Sequence, residues 1–169
     1  MLATNTSIEF ARFSDAIEIS DLSKHLIEFG FRSAYTPYRI CHLINNPSSN
    51  VVVARKQRTQ IGFGIMTYRE DSANLDLLAT KISYRRQGVG TQVVQWLEKV
   101  ASTSGAINIF VQVRKTNVAA VRFYQTLNFN VIDEVPGYYQ GRETAVIMCK
   151  GIRQVLDSIQ ISHSQDRSR

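Results

Sequence analysis

Cysteine and histidine are scarce in this sequence. It contains two cysteines and three histidines among 169 residues. Cys41 and Cys149 lie far apart and form no C-x-x-C pattern, so neither a disulfide framework nor a zinc site is indicated. We therefore expect no metal site, and we expect the two thiols to be buried or idle.

Long hydrophobic runs are also missing. No stretch approaches the about 20 apolar residues that a membrane-spanning helix requires. The N-terminal segment MLATNTSIEF lacks the basic start and the apolar centre of a signal peptide. The sequence thus predicts a cytoplasmic protein with no membrane partner.

The pattern of a nucleic-acid reader is absent as well, although the net charge is +6 and the pI is near 9.5. Such a charge makes nucleic acid the first partner to consider. The basic residues are scattered, apart from the pair Arg85 and Arg86 and the C-terminal tail, and no strand interleaves them with aromatic residues. The charge suits an anionic small molecule equally well, and it would help to attract one.

What is present is the composition of an ordinary globular domain, with 44% apolar and 20% charged residues. We expect a folded domain over residues 1–152 and a polar tail over residues 153–169. Residue patterns predict a mixed α/β fold with seven strands and four helices. The predicted strands are 7–13, 50–54, 60–68, 75–82, 107–113, 129–135 and 144–148, and the predicted helices begin at 14 or 15, at 36 or 37, at 90 and at 117.

The most informative stretch runs from Leu75 to Val100, where a basic turn joins an apolar strand to an amphipathic helix. Gly88 and Gly90 allow a tight turn, and the helix leaves its first N–H groups without intrahelical partners. These donors, the helix dipole, and the cations Arg85 and Arg86 would hold a pyrophosphate. A tight turn with a solvated basic face is the alternative.

Two common nucleotide-binding motifs do not fit this turn. A dinucleotide-binding fingerprint needs a third glycine where Val93 stands. A P-loop needs Gly-Lys-Ser/Thr, which the sequence lacks. The pattern therefore indicates a different phosphate carrier.

The segment Arg85–Gly90 resembles the Gln/Arg-x-x-Gly-x-Gly/Ala signature of the GNAT superfamily of acyl-CoA N-acyltransferases. Further residues fall at that family's spacing for the next strand and helix, namely Asn117, Ala120, Phe123, Tyr124 and Phe129. The resemblance implies the GNAT fold, a central and mostly antiparallel sheet flanked by helices, with acetyl-CoA as the acetyl donor. The cofactor-binding residues that it implies are Leu78, Ala79, Thr80, Arg85, Arg86, Gln87, Gly88, Val89, Gly90, Thr91 and Asn117.

One residue departs from the pattern at the end of the second helix of this unit. Asn128 stands where the family usually has glycine. Because asparagine also tolerates the left-handed conformation at a helix end, we expect the turn to survive.

The resemblance also assigns a general acid. Transfer of an acetyl group from a thioester to an amine needs a neutral amine and a proton for the departing thiolate. Tyr124 occupies the family's acid position, and a core tyrosine is the alternative. Asn117 is expected to contact the cofactor, to cap its helix, or to do both.

The general base departs from the family pattern. RimI-type (ribosomal-protein-alanine) N-terminal acetyltransferases, which the chain resembles most, have a glutamate where this chain has Gln112. The loss is tolerable for an α-amine, since about a tenth is neutral at pH 7, against about 0.04% of a lysine amine. Asp76 would act as the base through a water, and a structural carboxylate is the alternative. Strand alternation predicts that Asp76 shares a face with Asn74 and Leu78.

The run Gly137–Ala145 is similar to the Tyr-Tyr hairpin loop that RimI-type enzymes fold over a peptide N-terminus. Tyr138 and Tyr139 are expected on a turn, where they would clamp an extended backbone; a dimer contact is the alternative. We expect Gln112 to contact the substrate. The aromatic residues expected to line the acceptor cleft, or alternatively to pack in the core, are Phe29, Phe31, Tyr35 and Tyr38.

The sequence as a whole predicts an acetyl-CoA-dependent N-acetyltransferase that acts by direct transfer on a primary amine. The preferred acceptor is a protein or peptide N-terminus. A small-molecule amine is the first alternative, and a CoA-binding sensor without turnover, motivated by Gln112, is the second. The chain is expected to be a monomer or a homodimer.

Overall fold

The structure is a computed structural model that describes residues 6–28 and 30–152. Phe29 and the predicted tail, residues 153–169, lie outside the described residues. The strands are β1 (Thr6–Phe10), β2 (Ser49–Lys56), β3 (Thr59–Arg69), β4 (Ser72–Thr80), β5 (Asn108–Arg114), β6 (Asn130–Tyr139) and β7 (Glu143–Gly151). The α-helices are α1 (Ala16–Leu26), α2 (Pro37–Asn45), α3 (Val89–Thr103) and α4 (Val118–Thr126).

The seven strands form one sheet in the order β1-β2-β3-β4-β5-β7-β6. β4 and β5 pair in parallel, and the other neighbouring strands pair antiparallel. This arrangement confirms the predicted mixed α/β class with a mostly antiparallel sheet. None of the helices in the described ranges is long and apolar enough to cross a membrane.

Two predicted strands were too long at their C-terminal ends. β1 ends at Phe10, because the Arg12 N–H donates to the Asp15 carboxylate at 2.8 Å and starts a 3₁₀ turn. β4 ends at Thr80, because residues Ile82–Tyr84 form a second 3₁₀ turn. In both places a local turn ends the strand, although the apolar pattern in the sequence continues beyond it.

Two hydrophobic cores lie on opposite faces of the sheet. α3 and α4 cover one face, and α1 and α2 cover the other. Gly64 of β3 lets α3 approach closely, because a Cβ there would lie 2.8 Å from the Val93 Cγ1 and 2.9 Å from the Leu97 Cδ1. The close packing of α3 against the middle of the sheet thus requires glycine at position 64.

β4 contains a bulge that positions the site. Met66 pairs with Leu75 and Ile65 pairs with Leu77, so Asp76 is an extra residue between the two pairs. Leu75 therefore packs in the core under α3 and α4, whereas Leu77 packs under α1 and α2. The predicted common face of Asp76 and Leu78 is wrong, because Leu78 packs against the α3 and α4 core while the bulge turns Asp76 to the opposite face.

The parallel pairing of β4 with β5 is short. It joins residues 72–75 to residues 108–111, and no later residue of β4 in the described chain pairs with β5. The second half of β4, residues 77–80, borders a cavity instead. The two strands thus separate at the bulge and leave an opening between them.

The predicted helix ends at α2 and α4 are confirmed. The Thr36 hydroxyl accepts a hydrogen bond from the Arg39 N–H, and Pro37 occupies the first turn of α2. After α4, Asn128 has φ +66°, the left-handed conformation that the sequence predicts there. Local sequence signals therefore predict where α2 begins and where α4 ends.

Candidate active site

A single cavity of about 1090 Å³ extends from the start of α3, along β4 and α4, to the ends of β5 and β6. This volume is slightly above the about 300–1,000 Å³ that is typical of small-molecule sites. Every residue predicted to act in catalysis or to bind the cofactor lines the cavity except Gln87, and Tyr35, Gln112, Tyr138 and Tyr139 line it as well. The Gln87 side chain turns away and donates to the carbonyl oxygen of Ser83 at 3.0 Å.

The start of α3 has the geometry of an anion-binding site. Gly88 precedes the helix with φ +80°, and Arg86 also has a positive φ of 62°. The first hydrogen bond of α3 joins the Gln92 N–H to the Gly88 carbonyl at 3.0 Å, so the N–H groups of residues 89–91 have no partner within the helix. Arg85 lines the same mouth, where its Nε donates to the Thr80 carbonyl at 3.3 Å.

These groups fit the diphosphate of coenzyme A. Backbone donors, two guanidinium groups and the positive end of the α3 dipole converge on the mouth of the cavity. Asn117 lies beside this mouth and caps α4, where its Oδ1 accepts a hydrogen bond from the Ala120 N–H at 3.1 Å. The residue therefore caps its helix and lines the cavity at once.

Tyr124 lies in the wall of the cavity and is also a core residue. Its side chain is 6% exposed, and its ring centre lies 5.1 Å from that of Phe123 and 5.4 Å from that of Phe129. Burial raises the pKa of the Tyr124 phenol, and the nearby Tyr139 raises it further. The phenol is therefore protonated at neutral pH and can donate a proton to a group inside the cavity.

A chain of hydrogen bonds links β5 to the bulge of β4. Gln112 Nε2 donates to Asn74 Oδ1 at 2.8 Å, and Asn74 Nδ2 donates to Asp76 Oδ1 at 2.5 Å. Burial raises the pKa of Asp76 above its ordinary value, while hydrogen bonds from Asn74 and Thr67 and the charge of Arg39 act in the opposite direction. The result is a carboxylate that accepts protons more readily than an exposed aspartate.

Three tyrosines line the far end of the cavity, which we call the acceptor end. Burial raises the pKa of Tyr35 to about 12, and the charge of Asp76 contributes. The rings of Tyr138 and Tyr139 meet edge to face, with their centres 5.1 Å apart. The predicted turn position of this pair is wrong, because β6 continues to Tyr139 and the turn occupies residues 140–142.

The other aromatic residues expected at the acceptor end differ in whether they line the cavity. Phe31 lines the cavity. Tyr38 does not, because the first turn of α2 directs it outward, where it is 84% exposed. Phe29 lies outside the described residues.

Two charged residues of the acceptor end were missed from the sequence. Glu28 is nearly buried and accepts hydrogen bonds from the Ser23 and Ser33 hydroxyls at 3.0 and 2.9 Å. It stands within an apolar run that carries no chemical signal. Arg114 also lines the cavity, and its position two residues after Gln112 on β5 would have placed it on the same face.

No group of three or more histidine, cysteine, aspartate or glutamate side chains in the part of the chain that the structure describes could hold a metal ion. The polar side chains that line the cavity carry phenol, carboxylate, amide, hydroxyl and guanidinium groups.

Fold and cavity together match those that the sequence predicts for an acetyl-CoA-dependent N-acetyltransferase. A sequence profile of the Acetyltransferase (GNAT) family matches residues 17–129, which is more than half of the chain. The chain therefore belongs to the GNAT family, as its turn and helix motifs predict.

Several individual acetyltransferases are similar to this chain in sequence. The alanine N-acetyltransferase of ribosomal protein bS18 from Salmonella typhimurium is 33% identical over 89 residues, which cover 51% of this chain and 60% of that enzyme. The same enzyme from Escherichia coli is 34% identical over 99 residues, which cover 54% and 67%. The N-alpha-acetyltransferase daf-31 of Caenorhabditis elegans is 26% identical over 149 residues, which cover 84% and 80%.

Solved structures show the same fold. The Escherichia coli ribosomal-protein-S18-alanine N-acetyltransferase has a TM-score of 0.77 at 22% identity, with 92% of this chain and 99% of that chain covered. The PaiA N-acetyltransferase of Thermoplasma acidophilum, solved in complex with coenzyme A, has a TM-score of 0.73 at 21% identity, with 87% and 99% covered.

Proposed function

We propose that this enzyme transfers the acetyl group of acetyl-CoA directly to the α-amine of a protein or peptide N-terminus. The observation that carries the proposal is the continuity of one cavity from the anion-binding start of α3 to the tyrosines of the acceptor end. The relatives named as alanine N-acetyltransferases and as an N-alpha-acetyltransferase support a protein acceptor.

In this proposal Asp76 prepares the acceptor. The amine must lose a proton before it attacks, and an α-amine with a pKa near 7.8 is already about one tenth neutral at pH 7. Asp76, held by Asn74 and with a pKa raised by burial, takes the remaining proton through a water. Gln112 donates its amide to Asn74 and presents its oxygen as an acceptor for the incoming amine.

Tyr124 completes the transfer. The amine forms the new C–N bond and releases its extra proton to solvent, the thioester C–S bond breaks, and the sulfur leaves as a thiolate that needs a proton. Tyr124 supplies that proton from a buried position in the cavity wall. Burial keeps the Tyr124 phenol protonated until the thiolate forms, and burial of the thiolate in the same cavity favours its uptake of a proton.

The pair Tyr138 and Tyr139 would hold the peptide. Their rings lie at the end of β6 and line the acceptor end. Two rings set edge to face offer apolar surface to an extended backbone and hydroxyl groups to its amides. An acceptor with a backbone therefore uses more of this end of the cavity than a bare amine does.

A product screen tests this function. The purified protein is incubated with acetyl-CoA and an equimolar mixture of peptides, polyamines, aminoglycosides and free amino acids, and the products are identified by mass. We expect acetylated peptide N-termini. Acetylation confined to the small amines would contradict the proposed acceptor, and acetyl-CoA binding without any CoA release would indicate a sensor.

The proposal also includes a cytoplasmic location, where acetyl-CoA and new protein N-termini occur together. The predicted choice between a monomer and a homodimer stays a prediction. Sedimentation of the purified protein at several concentrations decides between the two states.

A further inference from the structure

The Arg114 side chain lies between the two chain segments that enclose the acceptor end. From the end of β5 it reaches the segment between α1 and α2, where Nη2 donates to the Ile27 carbonyl at 2.7 Å and the guanidinium lies 4.1 Å from the centre of the Phe31 ring. On the other side it lies 5.6 Å from the Tyr139 ring centre, and its Nη1 is 3.9 Å from the Glu143 carboxylate.

These contacts use several properties of a guanidinium at once. Its edge donates hydrogen bonds while its planar face lies over an aromatic ring, a combination that a lysine ammonium cannot reproduce. Glu143 is itself held by the Thr116 hydroxyl at 3.1 Å. The Arg114 side chain is 22% exposed, and such partial burial strengthens charge-assisted hydrogen bonds.

The segment that Arg114 holds has little regular structure of its own. Residues 30–36 form neither a strand nor an α-helix. Glu28 fixes this segment from within by accepting hydrogen bonds from the Ser33 hydroxyl and the Ala34 N–H. Arg114 holds the same segment from β5, beside the point where the centres of the Phe31 and Tyr139 rings lie 6.3 Å apart.

We propose that Arg114 is a positioning residue that ties the α1–α2 segment to the β6–β7 hairpin and thereby sets the affinity for the acceptor. The inference rests on the proposed function, because it takes the acceptor to enter between these two walls. A tethered wall loses less conformational entropy when the acceptor binds, so the tether lowers the KM for the acceptor. The start of α3 lies at the other end of the cavity, so the KM for acetyl-CoA does not depend on Arg114.

Steady-state kinetics of three variants test the tether. Arg114→Lys keeps the charge but loses the planar stack, Phe31→Leu removes the ring from the opposite wall, and Lys115→Met is the neighbouring control. Lys115 is more exposed and pairs with Glu134 outside the cavity. The acceptor is a short peptide with an N-terminal alanine.

We expect the peptide KM to rise about ten-fold in Arg114→Lys and several-fold in Phe31→Leu, because each variant loosens the same wall. The KM for acetyl-CoA should stay within two-fold, and Lys115→Met should match the unaltered protein. A peptide KM within two-fold of the unaltered protein in both test variants would overturn the tether. So would an equal rise in the KM for acetyl-CoA.

Hydrogen exchange separates this inference from the proposed function. If the unaltered protein acetylates no peptide, the proposed acceptor is wrong, but the tether can still be measured with acetyl-CoA bound. The amides of residues 30–36 should then exchange about ten-fold faster in Arg114→Lys, while those of α3 keep their rates. Unchanged exchange in residues 30–36 would refute the tether whatever the acceptor is.

Discussion

At the scale of single residues, burial and position in the cavity together distinguish the polar groups with a proposed catalytic role from the others. Tyr124, Asp76 and Gln60 are all wholly or partly buried polar residues, but the first two line the cavity and Gln60 does not. Tyr124 was predicted from the family resemblance together with the need for an acid, and Asp76 was predicted from its strand position and the need for a base. The near-complete burial of Gln60, which is 1% exposed, could not be predicted from the sequence, because it depends on the strands around it.

Replacement of Asp76 is predicted to lower activity and raise stability. Burial raises the pKa of this carboxyl in the folded state above 3.8, so the folded protein binds the proton more tightly than the unfolded chain does. Stability is therefore lost as pH rises from the unfolded pKa through the folded pKa. Asp76→Asn removes that loss, and the removal of the base should lower kcat/KM about ten-fold at pH 7.

Thermal unfolding at pH 4 and pH 7, together with peptide kinetics at pH 7, checks this prediction. The gain in Tm should be larger at pH 7 than at pH 4. Asp71→Asn is the control, because Asp71 is exposed in the turn before β4 and should change neither quantity. A fall in Tm at pH 7 would show that the hydrogen bonds of Asp76 outweigh its burial.

Replacement of Gln60 is predicted to stabilise the fold. Neither polar atom of this side chain has a hydrogen-bond partner among the described residues, and an unsatisfied buried group costs about 1–3 kcal/mol. Gln60→Met keeps the length of the side chain and removes both polar atoms. We expect urea unfolding to show a gain of about 1 kcal/mol, with no gain for Gln95→Met on the exposed face of α3. A loss of stability would mean that a buried water serves the amide.

At the scale of elements, the sequence predicts strands and helices well but misses where a strand changes face. Alternation identifies β4, yet the bulge at Asp76 depends on how β3 pairs with β4. The end of β6 was also missed, since the strand was predicted to end at Val135 but continues to Tyr139, and the turn at residues 140–142 follows Tyr138 and Tyr139. Motifs fixed by backbone conformation, such as the turn before α3, were predicted correctly because glycine marks them directly.

The start of α3 allows a matched test of the anion site. Gly88 and Gly105 flank this helix with φ +80° and φ +90°, and a Cβ at either position would meet little or nothing within 4 Å. An alanine in this left-handed conformation costs about 1–2 kcal/mol at both positions. Gly88→Ala alone should also weaken acetyl-CoA binding, by about ten-fold, because it displaces the N–H groups that point at the diphosphate.

Isothermal titration with acetyl-CoA and urea unfolding of both variants check this prediction. Gly105→Ala should lose similar stability and keep its Kd for acetyl-CoA. Unaltered acetyl-CoA affinity in Gly88→Ala would place the diphosphate elsewhere.

At the scale of the whole molecule, the family, the fold class and most of the cavity lining follow from two motifs in register. The acceptor end does not, because it joins segments that are distant in sequence. Gln112 meets Asn74 only through the β4 and β5 pairing, and Arg114 meets Ile27 only because β5 ends beside α1. In the proposed mechanism these contacts position the base and set the specificity, and the sequence alone does not indicate them.

The most direct test of the whole account is the pre-steady-state rate of acetyl transfer in Tyr124→Phe, measured beside its Kd for acetyl-CoA. Phenylalanine keeps the ring that packs against Phe123 and Phe129 and removes only the proton donor. We predict a rate lower by about 10²-fold or more, with acetyl-CoA bound as tightly as by the unaltered protein. An unchanged rate would contradict it and would leave Tyr124 as a core tyrosine alone.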